Sequence, residues 1–273
     1  MSQLAIKRFR ATDRLFHLFL ILTFLAQSAT GAARLFSTTA WGRMMLSWFG
    51  GYHNTLTIHF VVGMVMTAGF GLHILQLLWR VKPGKSRVRL FGPDSLLPVP
   101  RDAVFLFRRV LWFFGLGKQP EMERWAYWEK FDYWAVFWGM PLLAATGVML
   151  MFPVETSRVA PGWSLNVAAL LHRAEAILAM SYIFIVHFFI GHLRPSAFPM
   201  NEAMFSGRVP FHEARHEKAA WAERVEEAGQ AEEAVKPSLP FRVAYYLFGY
   251  AALGFGLYLL VNGIRFADRI SLH

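Results

Sequence analysis

Residues 165–191 read LNVAALLHRAEAILAMSYIFIVHFFIG, a long apolar run with one histidine at 172 and another at 187. A bilayer core about 30 Å thick is crossed by about 20 helical residues rising about 1.5 Å each. Leu165–Gly191 is long enough to cross it. Four other segments have the same character: Leu15–Ala32, Leu56–Trp79, Phe131–Phe152 and Phe241–Gly263. The first also has the basic start and small-residue end of a signal peptide, but is read as a retained span. The expected fold is therefore all-α: a polytopic membrane helical bundle of four core helices plus one additional C-terminal span.

Composition agrees. The chain has 273 residues, 55% hydrophobic and 17% charged, against about 25% charged in a soluble domain. Its 10 Trp and 26 Phe suit lipid-facing and interfacial positions. It contains no cysteine. That excludes disulfides, iron–sulfur ligation, thioether-attached haem and thiolate zinc within this chain. Any redox centre must be held by its histidines or methionines.

The net charge of +10 is a topology signal rather than a nucleic-acid signal. With the N-terminus inside, the inner segments hold Lys7, Arg8, Arg10 and Arg14, eleven cations from Arg80 to Lys130, and seven from Arg194 to Arg242. These are 22 of the 28 Lys and Arg residues. The N-terminus is thus expected in the cytoplasm and the C-terminus outside. Residues 1–196 form the expected four-helix domain with a cytoplasmic 80–130 loop. Residues 197–240 are a polar cytoplasmic segment, expected as a solvated helix, and 241–273 the fifth span and outer tail. Within the loop, Val104–Gly115 is apolar but too short to span, and reads as an interfacial amphipathic helix. No internal repeat is evident.

Histidine placement carries the functional argument. His59 and His73 lie on the second span, 14 residues apart; His172 and His187 lie on the fourth, 15 apart. At 100° per residue, 14 steps fall about 40° short of four turns and 15 run about 60° past them. Each pair therefore shares roughly one helix face, about 21–22 Å apart along the axis. The second and fourth spans run in the same direction. His59 is then expected to face His172 near the outer surface, and His73 to face His187 near the inner one. Two imidazoles from two helices at one depth can clamp a haem iron from both sides. The bland reading is a hydrogen-bonded packing histidine, and the rival function is a transporter or anchor using the histidines as a proton relay. Opposed pairs at two depths favour haem. Gly63, Gly69 and Gly71, with small residues after His172, leave room for a flat macrocycle, or for close helix packing. Arg173, beside His172, is placed for a haem propionate, and Arg8, Arg10 and Arg14 for an inner one.

The residues also carry a resemblance. Arg14-Leu15-Phe16-His17 with its apolar run to Thr30-Gly31, His59-Phe60-Val61-Val62-Gly63, and Leu171-His172 followed by His187-Phe188 resemble the cytochrome b subunits of respiratory formate dehydrogenases and nickel–iron hydrogenases. Tyr127-Trp128-Glu129-Lys130-Phe131-Asp132-Tyr133-Trp134 and His187 to Pro195 are similar to a branch that works with periplasmic multihaem or iron–sulfur partners. The resemblance covers about residues 5–220. It implies haem b as cofactor and a quinone or menaquinone as substrate. It also implies a periplasmic iron–sulfur or multihaem cytochrome subunit as partner, and a seat in the bacterial inner membrane. By the family pattern the outer haem takes His59 and His172, and the inner one His17 and His187. This chain departs from that pattern by adding His73, His192 and the fifth span, and by spacing the fourth-span histidines one residue further apart. The inner pair is therefore open between His17–His187 and His73–His187, and use of all four inner histidines would make three haems. Taken as an α-helix, His187 and His192 lie about 140° apart and cannot share one iron from one side. Quinone chemistry moves protons with electrons, and Glu129 or Asp132, at the inner start of the third span, would carry them. The competing role is an ion pair that anchors the helix.

Overall fold

A computed structural model describes residues 4–81, 91–198, 200–234 and 237–270. Lys82, Lys85, Arg87, Arg89 and Lys236, counted above as inner cations, lie outside the described residues. In chain order the elements are β1 (Leu4–Lys7), α1 (Ala11–Leu35), α2 (Ala40–Trp48), α3 (Tyr52–Val81), α4 (Pro100–Phe113), α5 (Tyr127–Met151), α6 (Pro153–Val159) and α7 (Trp163–Ser181). After α7 the chain continues helically through Tyr182–Leu193. There follow α8 (Ala203–Ser206), β2 (Arg208–Pro210), α9 (Phe211–Glu217), α10 (Ala219–Glu227), β3 (Glu232–Glu233) and α11 (Leu239–Arg265).

Five helices are long and apolar enough to cross a membrane: α1, α3, α5, α7 with its continuation to Leu193, and α11. Each contains most or all of a span expected from hydropathy. The chain is a multi-pass all-α membrane protein.

The chain divides into two compact units. The larger holds Leu15–Leu72, Trp138–Asn201 and Leu239–His273. Its buried core joins Ala29, Ala33 and Phe36 with Trp41 and Met45 of α2, Phe184 and Phe188 beyond α7, and Leu253 and Leu259 of α11. Gly256 allows this approach, because a Cβ there would sit 2.7–2.8 Å from the Phe184 and Phe188 rings. Trp41 Nε1 donates to Tyr258 Oη at 3.0 Å, which satisfies two polar groups in an apolar setting.

The smaller unit holds Met1–Arg14, His73–Phe137 and Glu202–Ser238. Here the polar segment is more than a solvated helix. β1 lies between β2 and β3 in a three-stranded antiparallel sheet, with Ile6 opposite Val209. Ile6 and Val209 then pack with Ala214, Trp221, Ala222 and Val225 into a small core. The strands are too short for periodicity to reveal them, and β1 pairs with a segment about 200 residues away.

An ion cluster ties this unit together. Arg8, 5% exposed, and Lys218, 3% exposed, both bond Glu129, at 2.7 and 2.5 Å. The Arg8 guanidinium also lies over the Phe9 and Trp125 rings. Arg224 bridges Asp94 and Glu123. Burial pushes the Lys218 ammonium down to about 8, against the opposing pull of the Glu129 carboxylate. Between about pH 8 and 10.5 the unfolded chain therefore holds more protons than the folded one, and stability rises with pH. Thermal unfolding of the wild type should gain on Lys218→Met across that window. Parallel curves would refute the assignment.

Candidate haem-ligand site

Two histidine pairs form inside the larger unit. His59 of α3 and His172 of α7 have ring centroids 6.3 Å apart. His17 of α1 and His187 beyond α7 have centroids 6.2 Å apart. Two metal–nitrogen bonds of about 2.0 Å plus the half-width of each imidazole give a separation of about 6.2 Å across one iron. Both pairs therefore have the spacing of a bis-imidazole metal site.

The support behind His59 and His172 follows one plan. Thr30 Oγ1 lies 2.9 Å from His59 Nδ1 and donates its own proton to the Ala26 carbonyl at 2.7 Å. Thr146 Oγ1 lies 2.9 Å from His172 Nδ1 and donates to the Leu142 carbonyl at 2.7 Å. A hydroxyl has one proton. With it given to the helix carbonyl, each threonine accepts from Nδ1–H, which leaves the Nε2 lone pair for a metal. The next residue in each case is glycine. A Cβ at Gly31 would stand 3.4 Å from the His59 ring, and one at Gly147 would stand 3.3 Å from the His172 ring.

Thus Ser28-Ala29-Thr30-Gly31 and Ala144-Ala145-Thr146-Gly147 are the same device used twice, on α1 for α3 and on α5 for α7. The identical residues are three, Ala-Thr-Gly, and are submerged in apolar sequence. Thr146→Val should weaken retention of a haem at His172 on the order of tenfold and raise its midpoint potential, since the imidazole loses a partner that makes it a better donor. Thr146→Ser should restore both; redox titration of the purified protein measures it.

Arg34 completes this end. Its guanidinium acts electrostatically on both His59 and His172, and among the described residues its buried Nε has no hydrogen-bond partner. An orphaned cationic donor beside paired imidazoles suits a haem propionate. Arg173, the expected propionate partner, is half-buried next to His172. Arg8 and Arg14 are engaged elsewhere: Arg8 with Glu129, and Arg14 with the Phe205 carbonyl at 2.5 Å.

The other end depends on a change of helix type. Tyr182–His187 and Phe189–Leu193 are π-helical. Bonding from i to i+5 gives about 4.4 residues per turn, or about 82° per residue. From His172 the chain then reaches His187 about 30° short of four turns rather than about 60° past them. The wider turn absorbs the extra residue between these histidines. It also moves His192 to about 50° from His187, in place of the 140° of an α-helix. Their ring centroids are 6.3 Å apart. The α-helical separation of His187 and His192 is thereby corrected. Among the described residues the buried His192 Nδ1 has no hydrogen-bond partner. His17 approaches His187 from another helix, whereas His192 lies five residues further along the same backbone.

His73 belongs to the smaller unit. Its Nε2 lies 3.0 Å from Tyr133 Oη. Arg80 in the same unit bonds Asp13 at 3.3 Å, and both act electrostatically on His73 and Tyr133. Glu129 has little capacity left for proton traffic. Oε1 accepts from Arg8, and Oε2 accepts from Lys218 and from the Ala126 N–H at 2.9 Å. This geometry is that of the anchoring ion pair. Asp132 is partly exposed one turn along α5.

Among the glycines expected to make room for a cofactor, Gly63 faces the Gln27 side chain and Gly69 the Phe19 ring, so both allow close packing of α3 on α1. Gly71 faces open space. One functional candidate was overlooked. Glu175, one turn from His172, is only 9% exposed and fits against Gly139, where a Cβ would stand 2.9 Å from its Oε1. No hydrogen bond or ion pair reaches it among the described residues. An acid inside a span is a functional candidate by default, and Glu175 is the only one in Leu165–Gly191. Among the described residues no three histidine or acidic side chains converge on one metal ion. Compared with protein-family models and with curated proteins, the chain matches none.

Proposed function

We propose that the chain is a b-type cytochrome, the membrane electron-transfer subunit of a respiratory oxidoreductase complex. Its two haems b are held by His59 with His172 and by His17 with His187. The observation that carries this reading is the pair of centroid distances, 6.3 and 6.2 Å, each between histidines of different helices. The two pairs sit 15 residues apart along one continuous helix, about 22 Å at α-helical rise. Bound haem would supply one-electron chemistry at two depths of the bilayer. The chain's own residues do the rest. Thr30 and Thr146 fix the imidazole tautomers, Gly31 and Gly147 admit the rings, and Arg34 neutralises anionic charge.

The electrons would pass between a periplasmic iron–sulfur or multihaem subunit and the quinone pool, with the N-terminus in the cytoplasm of a bacterial inner membrane. His73, Tyr133 and Asp13 are the groups best disposed for proton exchange with quinone, ahead of Glu129. A dithionite-reduced minus oxidised spectrum of the purified protein should show a b-type band, with two haems per chain by pyridine haemochrome assay. Three haems per chain would mean that a further haem is held outside these two pairs. No Soret band after expression with ample haem would defeat the reading and favour the proton-relay transporter or anchor.

A further inference from the structure

Helix α4 is mounted with its apolar side turned away from the protein. At 100° per residue, Val104, Leu106, Phe107, Val110, Phe113 and Phe114 fall within an arc of about 180°. All six are exposed, Phe107 at 63%, Phe113 at 77% and Phe114 at 67%. The opposite side packs inward. Phe105, at the centre of that side, is buried against Met122 and Ala126. Asp102 bonds Lys130 at 2.9 Å, and the Arg109 guanidinium lies 4.6 Å from the Trp112 ring and 5.8 Å from that of Trp128. A helix packed on a water-soluble body buries its apolar stripe and exposes its charges. This one leaves its apolar arc exposed.

The structure also indicates what covers that face. Lys130 stands in the first turn of α5, a membrane span, so the Asp102–Lys130 ion pair holds the start of α4 where that span meets the interface. Trp112 and Trp128 both lie against the Arg109 guanidinium, and tryptophans favour the headgroup level. Arg108 and Arg109 flank the apolar arc, one on each side, and Arg108 is exposed. Cations bordering an apolar arc are the arrangement of a helix that lies in the membrane plane with its guanidinium groups among lipid phosphates.

We propose that α4 lies in the leaflet adjoining the start of α5, with Val104, Phe107, Val110 and Phe113 in the acyl region, and that Arg108 and Arg109 bind anionic phospholipid headgroups. The proposal is independent of haem. The absence of cysteine allows a clean test on the full-length protein in nanodiscs. Phe107→Cys, Phe113→Cys and Glu227→Cys each carry one bimane label, the last on an exposed site of α10. Lipids with a nitroxide near the headgroup end of the acyl chain are the quencher, on either phosphatidylglycerol or phosphatidylcholine. Labels at 107 and 113 should be quenched at least about twofold more than the label at 227, and more by the anionic quencher than by the zwitterionic one. Arg108→Gln with Arg109→Gln should abolish the difference between lipids while leaving quenching by phosphatidylcholine. Labels at 107 and 113 that are quenched by aqueous iodide instead would overturn membrane insertion. Labels protected from both quenchers would assign the face to a protein partner and overturn it equally. Equal quenching by the two lipids would overturn the anionic headgroup site.

Discussion

Alanine at His59 or His172 is expected to remove about half of the haem from the purified chain, and alanine at His17 or His187 the other half. In the proposed sites each imidazole would supply one of the two nitrogen donors to the iron, and its removal would leave a one-sided site in an apolar setting. Thr30 and Thr146 lack a nitrogen donor, and no third histidine or acid converges on either pair among the described residues. His73→Ala should keep the full complement, because the His73 ring is engaged with Tyr133 at 3.0 Å. His192→Ala should also keep it, since His192 meets His187 from the same stretch of backbone. The measurement is the haemochrome ratio per chain, with redox titration to show which potential disappears. Loss of haem in His73→Ala with retention in His17→Ala would overturn the His17–His187 assignment. Double variants add a check. His59→Ala with His172→Ala should lose no more than either alone, whereas His59→Ala with His187→Ala should lose both haems.

The five spans were legible because a lipid-facing helix must be apolar for about 20 residues, and nothing else in this sequence has that length. The outer histidine pair was legible because α-helical arithmetic holds without interruption from His59 to the end of α3 and over the early turns of α7. The inner pair was not settled by it. Fifteen residues of ideal α-helix place His187 about 90° from where the π-helical turn at Tyr182–His187 puts it, and no residue in that stretch announces the change. The supporting groups were hidden for a different reason. Threonine and glycine in apolar helices are usually packing residues, and only contact with a histidine on another helix gives Thr30 and Thr146 their role. The N-terminal strand was hidden by distance, since Leu4–Lys7 has no sheet until Arg208–Pro210 and Glu232–Glu233 arrive. Glu175 was open to view: a single acid within a span was a sufficient signal.

Glu129→Ala is expected to destabilise the smaller unit by about 3–5 kcal/mol, the cost of leaving buried cations without their counter-ion. Arg8 and Lys218 are each at most 5% exposed, and among the described residues Glu129 is the carboxylate that pairs with both. The Arg8 guanidinium retains its aromatic neighbours, Phe9 and Trp125, which offset part of the loss. Lys218 has no such ring, so it should carry most of the penalty. Glu129→Gln keeps the shape and the hydrogen bonding to the Ala126 N–H but loses the charge, and should fall between wild type and alanine. The combined change Arg8→Met, Glu129→Leu and Lys218→Met removes the whole cluster and should recover much of the stability, because three desolvation costs disappear with the three charges. Thermal unfolding and protease susceptibility of the detergent-solubilised protein measure the series. The same variants separate two roles for Glu129. If the carboxylate anchors the unit, Glu129→Gln lowers stability while quinone turnover per folded molecule is unchanged. If it carries protons, turnover falls in Glu129→Gln, and the decline stays after correction for the folded fraction. With both carboxylate oxygens already accepting three donors within 2.9 Å, the first outcome is the expected one.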